Sequence, residues 1–386
     1  MKKTISLIAG AILCGGILLT GCSGGSDVKS NTQESVVIQD TSGNSGGDLN
    51  NITENPSSIK KIGSFKLNGS FNDVSAGIVD YNNTKAFISD QTKLYAYTLE
   101  NIAEPELLNT YDLFSGGNKI ALSKDNKKLF IDNLTSLLIL DANSLNKLEE
   151  YVNDNSIIDF VLSNDGKTIF LTDNSSLKII DVSDPTFPTT TKDIPNIRKL
   201  FISNDDKRLY CLVKDEQEEG LIILDITEKT NPTLKGQFSI GDDEISINDM
   251  EVSKDGKVAI LKTNQGIVIL NINRSSEDDN FDDIKGTFLK SNDYIFDTIK
   301  IASNNKIVFG VRKLNLKVDI LDISDLQNPK KINNIDFSSY VPYEVFLSND
   351  ETKLFVATII GEGSGESPAF GKTRVYIFDV SSYTKK

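Results

Sequence analysis

In 386 residues with no histidine and no tryptophan, 55 acidic side chains outnumber 41 basic ones. The lack of imidazole excludes Ser-His-Asp and Cys-His nucleophilic schemes, the commonest transition-metal ligand and the usual general base near neutral pH. A formal net charge of −14 argues against nucleic acid or a bare anionic lipid surface as partner.

Residues 1–21 have the order of an export signal: Lys2 and Lys3, an apolar run from Ile5 to Leu19, then small residues. The run is about 15 residues, short of the roughly 20 a helix needs to cross hydrocarbon. Leu19-Thr20-Gly21-Cys22 resembles the bacterial lipobox. The resemblance implies cleavage before Cys22 and a diacylglycerol on its thiol. Two acyl chains suffice for stable attachment to a membrane. The expected location is therefore outside the cytoplasm, lipid-anchored to the cell membrane or the outer membrane.

Residues 22–57 carry this lipidated Cys22 and a Ser/Gly/Asn-rich stretch with few large apolar groups. Such a composition cannot bury enough surface to offset ordering, so it reads as a flexible tether. Cys14 leaves with the signal, so Cys211 is the other thiol of the mature chain, and no internal disulfide is expected. It sits in the apolar run Leu209-Tyr210-Cys211-Leu212-Val213 and reads as a buried strand residue.

Residues 58–386 are built of repeats. An apolar strand ending in Asp recurs at Asp141, Asp181, Asp225, Asp322 and Asp379, with degenerate copies ending at Thr98 and Asn271. Upstream of the anchor stands a turn such as Ser163-Asn164-Asp165-Gly166 or Ser253-Lys254-Asp255-Gly256, then a short apolar strand. Asp-Gly and Asn-Asp pairs between apolar runs are strong hairpin signals. Downstream comes a turn with proline, as at Asp184-Pro185, and a more polar fourth strand. Four-stranded units repeated seven times predict an all-β fold, a seven-bladed β-propeller. The seventh repeat stops too soon after Asp379 for a fourth strand, while Lys60-Lys61-Ile62-Gly63-Ser64-Phe65 parallels the fourth strand beginning Lys330-Lys331-Ile332. The N-terminal strand is expected to complete the last blade and close the ring.

These repeats resemble the LVIVD family, named for the third-strand signature and found in bacterial and archaeal surface proteins. The resemblance is best around Asp181, Asp225, Asp322 and Asp379, and repeats one and five depart from it at Thr98 and Asn271. It implies a propeller and an exported location. It carries no agreed catalytic residues, so no chemistry follows from it.

No catalytic constellation, metal site or cofactor motif is legible. The repeated Asp reads as a strand-end carboxylate accepting N–H groups of the next turn. Gly361-Glu362-Gly363-Ser364-Gly365 lacks the lysine of a phosphate loop, and Glu277-Asp278-Asp279-Asn280-Phe281-Asp282-Asp283 matches no calcium-loop spacing. In a propeller, the loops from second to third strand and from blade to blade share one face. Near the channel mouth on that face the pattern places Arg198, Tyr294, Tyr340 and Tyr343, a candidate site for a small ligand or peptide. The expected function is a non-enzymatic binding or scaffolding module for a protein or envelope polymer. The alternative is a glycan or lactone hydrolase working with carboxylates alone.

Overall fold

The computed structural model describes residues 35–37, 59–67, 74–214, 219–241, 244–272, 284–337, 340–360 and 373–385. The export signal, Cys22, the acidic loop 277–283 and the segment 361–372 lie outside the described residues.

Seven four-stranded antiparallel sheets account for the repeats. Their first strands are Ala76–Val79, Gly116–Leu122, Asp159–Leu162, Ile197–Ile202, Ile247–Val252, Thr298–Ile301 and Tyr340–Leu347. Each touches the next in that order, and the last touches the first, so the blades close around a channel. The all-β seven-bladed propeller expected from the repeat pattern is the fold. A short strand, Ser35–Val37, adds in parallel to the outer edge of blade six along Asn334–Asp336.

Within a blade, burial follows strand position. The second and third strands are apolar on both faces because each lies between two neighbouring blades. In Lys128–Asn133 and Ser136–Asp141, Leu129, Phe130, Ile131, Leu137, Leu138, Ile139 and Leu140 are all at most 2% exposed. The fourth strand has one face to water, and Glu106–Asp112 is exposed almost throughout. Full burial of one such apolar side chain is worth about 1.5–3 kcal/mol, so the interblade layers carry most of the stability.

The last blade is closed as the sequence predicts. Lys60–Lys66 pairs antiparallel with Arg374–Asp379, Lys60 opposite Asp379. Its Phe65 ring lies 4.3 Å from Tyr97 of blade one, whose hydroxyl donates to the Lys66 carbonyl at 2.9 Å. The N-terminal strand therefore fastens two blades as well as completing one.

The anchor carboxylates are turn devices. Asp181 Oδ1 accepts the Ser183 N–H and hydroxyl at 2.9 and 2.6 Å, and Asp379 Oδ1 accepts those of Ser381 at 3.0 and 2.6 Å. Asp141, Asp225 and Asp322 likewise accept the N–H of the residue two positions on. These hydrogen bonds favour the ionised form, and all five carboxyls sit below the usual aspartate range.

The turns between first and second strands repeat one backbone shape. In each blade one residue takes the left-handed region: Asn83, Asn126, Gly166, Asp206, Gly256, Asn305 and Glu351, with φ between 55° and 71°. Its N–H closes the turn onto the residue three earlier, as Gly166 does onto Ser163. The turns also join blade to blade. Asn164 Nδ2 donates to Asp206 Oδ1 at 2.8 Å, Asn305 Nδ2 to Asp255 Oδ2 at 2.8 Å, and Ser303 N and Oγ to Glu351 Oε2. This face is a fastened rim. The opposite face carries the channel mouth.

Candidate functional site

The channel is lined by one register position repeated around the ring. Counting four residues back from the first residue of each turn gives Ala76, Lys119, Asp159, Lys199, Asp249, Thr298 and Glu344. Each falls at the same height against its second strand, as Asp159 opposite Thr172, Lys199 opposite Leu212 and Glu344 opposite Ala357 show. Because neighbouring first strands run side by side, each side chain meets the corresponding one of the next blade.

Alternating charge on this ring forms successive pairs. Lys119 Nζ lies 3.3 Å from Asp159 Oδ1, and Asp159 Oδ2 accepts the Leu200 N–H at 2.8 Å. Lys199 Nζ lies 2.9 Å from Asp249 Oδ1, and Lys262 Nζ 3.1 Å from Asp249 Oδ2. One tier further in, Lys300 Nζ meets Glu251 Oε1 at 2.6 Å. Lys119 also reaches over the Phe201 ring, 5.3 Å from its centroid.

Protonation follows this layout. Burial works against the charge on Asp249, but Lys199 and Lys262 outweigh it and hold the carboxyl at about 2. Burial likewise opposes the Lys199 ammonium, and Asp249 and Asp159 outweigh it and raise its pKa above the usual lysine value. Glu344 goes the other way: burial pushes it up to about 7, against the pull of Lys199 and Lys300. Asp132, 3% exposed beside Lys119, is pushed up by burial to about 6 although it accepts the Lys119 N–H at 2.8 Å. Among the described residues no three Cys, Asp or Glu side chains are grouped as they would be around a metal ion.

The four residues singled out from sequence are spread around the mouth. Arg198 is exposed at a bulge in the first strand of blade four. Tyr343 stands in blade seven, with Lys313 Nζ 4.0 Å from its ring centroid. Tyr340 is 7% exposed, in the core between blades six and seven, edge-on to Tyr376 at 5.7 Å. Tyr294 is half-buried between blades five and six and donates to the Pro329 carbonyl at 3.3 Å. Cys211 is fully buried, and burial raises its thiol pKa far above the free value. The charged ring was not anticipated. Its signal was present in the sequence as a Lys or Asp four residues ahead of the turn serines Ser123, Ser163, Ser203 and Ser253, with Glu344 at the same distance from Ser348.

Fold and channel together define a seven-bladed β-propeller with a charge-lined axis. More particularly, the chain is an LVIVD-repeat propeller: the LVIVD repeat family model matches residues 213–239. Residues 36–206 match a domain of unknown function, DUF5074. No curated protein sequence matches the chain. Among solved structures it is similar to the β-propeller domain of Myceliophteria thermophila Cps50 (Swd1), with a TM-score of 0.64 and 9% identity over 84% of this chain and 100% of that one. Kuenenia stuttgartiensis hydrazine synthase gives 0.60 and 14% over 82% and 99%. A 6-phosphogluconolactonase-like protein of Bacteroides uniformis gives 0.56 and 14% over 68% and 85%. At these identities the likeness is one of fold.

Proposed function

We propose that this protein is a non-enzymatic binding or scaffolding module, held outside the cytoplasmic membrane by a lipid on Cys22, that engages a protein or envelope polymer with its channel-mouth face. The observation that carries the reading is the distribution of exposed apolar groups. Phe114, Val152 and Leu314 are 80%, 71% and 99% exposed on the mouth face, and Leu134, Ile158 and Ile295 stand there too. Elsewhere among the described residues Leu107, Leu108, Leu148, Leu234 and Ile332, 39–59% exposed, lie on the outer fourth strands toward the fastened end, and Tyr81 at 38% in a fastened turn. Phe114, Leu134, Val152 and Ile158 gather where blade two meets its neighbours: the Phe114 N–H donates to Asn133 Oδ1 at 2.6 Å, and Ile157 N–H to the Leu134 carbonyl at 2.8 Å. The three most exposed apolar side chains thus stand at the mouth, and apolar groups presented among polar ones mark an interaction surface.

The direct test is capture from envelope extract by the signal-free domain, alongside a Phe114→Ser/Val152→Ser variant. A partner enriched by the first and lost by the second is expected. Equal capture by both, or none by the unaltered domain, overturns the reading. The anchor is tested separately: Cys22→Ser should abolish lipid labelling and leave unprocessed precursor, and normal maturation of that variant refutes it.

One observation favours a second reading. Asp249 at about 2 and Glu344 at about 7 have the separated proton affinities that a carboxylate hydrolase of glycans or lactones requires of its base and acid. In that reading Glu344 donates the proton and Asp249 acts as base or nucleophile. Hydrolysis that survives Glu344→Gln, or no hydrolysis of either substrate class, removes it.

A further inference from the structure

We propose that the break in the channel's charge ring between blades seven and one is a binding site for a primary ammonium group, with the Glu344 carboxylate as its acceptor. The ring is answered from blade two to blade five: Lys119 by Asp159 at 3.3 Å and Lys199 by Asp249 at 2.9 Å. At blade six the position is Thr298, whose hydroxyl lies 3.5 Å from Glu344 Oε2. At blade seven the sequence of partners stops. The side chain facing Glu344 around the ring is Ala76, followed by Gly77, and neither carries a charge or a donor group on its side chain.

Glu344 is consequently the one carboxylate on the ring without an ion pair among the described residues. Its Oε1 accepts the Val345 N–H at 3.2 Å, and the Thr298 hydroxyl, 3.3 Å from the Tyr343 carbonyl, lies 3.5 Å from Oε2. The cations in electrostatic reach are committed elsewhere: Lys199 to Asp249 at 2.9 Å and Lys300 to Glu251 at 2.6 Å. The remaining charged group acting on it is the Asp249 carboxylate, which repels it. An enclosed carboxylate without a cation is costly, and its burial already favours the protonated form. A ligand cation on this spot would supply what Lys199 supplies to Asp249.

The chemistry of the spot selects an ammonium over a metal ion. A divalent cation takes six or more oxygens, or several carboxylates, and no such group is present among the described residues. An ammonium needs a few acceptors within hydrogen-bond reach, and the two Glu344 oxygens and the Thr298 hydroxyl are of that kind. Phe346, one tier further in and packed over Gly77, offers an apolar wall to the alkyl part of such a ligand.

The test is calorimetry on the signal-free domain with 1,5-diaminopentane and n-butylamine, and butyrate as the anionic counterpart. It is run in two buffers of different ionisation enthalpy near the pH at which Glu344 is half-titrated. Both amines should bind, butyrate should not, and binding should release up to about half a proton per amine as Glu344 ionises. Glu344→Gln should weaken amine binding roughly tenfold or more while keeping a cooperative thermal transition no lower than that of the unaltered domain, and Glu149→Gln, on the outer strand of blade two, should leave binding unchanged. No amine binding, binding equal in Glu344→Gln, or binding without proton release overturns the proposal. The Phe114→Ser/Val152→Ser variant should keep amine binding, so failure of the apolar-face reading and failure of this one are distinguishable.

Discussion

Lys199 of blade four and Asp249 of blade five meet at 2.9 Å across the gap between adjacent first strands, and Lys262 shares the same carboxylate at 3.1 Å. One acid thus neutralises two ammonium groups inside the ring. Asp249→Asn removes that neutralisation and leaves both lysines with like-charge repulsion. It should cost about 2–4 kcal/mol, read as a lower denaturation midpoint with an unchanged denaturant slope. A loss within a few tenths of a kcal/mol would show that the pair is screened as a surface pair is.

Glu344 should make stability fall as pH rises. Its folded pKa of about 7 lies above that of a free glutamate, so between roughly pH 4.5 and 7 the folded state holds more protons than the unfolded one. Stability associated with this group is full in acid and lost on passing through neutrality, and Asp132, at about 6, has the same sign. Asp249, at about 2, has the opposite sign and withdraws its contribution only as pH falls below roughly 4. Glu344→Gln should therefore raise stability near pH 8 by about 1–3 kcal/mol and flatten the decline above pH 5. Urea unfolding across that range decides it; an unchanged pH profile in the variant would refute the assignment.

Ring closure depends on Phe65 as well as on hydrogen bonds. The side chain is 7% exposed and packs on Tyr97 of the next blade. Phe65→Ala should cost about 3–5 kcal/mol, and deletion of 58–68 should cost more, because it also strips the outer edge of Arg374–Asp379. Melting curves of both variants give the measure. A deletion milder than the point substitution would contradict the closure.

Two glycines at equivalent turn positions should differ sharply. Gly166 and Gly256 share φ near +70°, but a Cβ on Gly166 meets nothing within 4 Å, whereas one on Gly256 would lie 2.1 Å from the Tyr210 hydroxyl oxygen. Gly166→Ala should cost about 1 kcal/mol, the left-handed penalty alone. Gly256→Ala adds displacement of a buried tyrosine whose hydroxyl donates to the Gly256 carbonyl at 3.1 Å, and should cost at least twice as much. Equal effects in equilibrium unfolding would mean that the Tyr210 ring yields freely.

The repeats were legible because they rest on local chemistry. Asp181 bonds Ser183 two residues on, and Gly166 closes a turn onto Ser163 three residues back, so both signals stand within a few letters of each other. Closure was legible because Lys60–Lys66 and Lys330–Asp336 solve the same packing problem with related residues. The charged ring was harder to see. Lys199 and Asp249 are 50 positions apart, and each alone resembles any polar residue at a strand start; their meaning comes from the circular order of blades. The same holds for the mouth residues. Tyr340 turns into the core and Tyr294 lies between blades, and burial of this kind is set by neighbours from other repeats.

The direction of the closing strand has a consequence for how the molecule is held. Lys60 lies opposite Asp379, at the end of the blade where the fastened turns are, and the strand runs from there toward the mouth. A pull applied at Lys60 therefore enters the disc at its most heavily cross-linked side, where the interlocked turns share the load before the closing strand can peel from Arg374–Asp379.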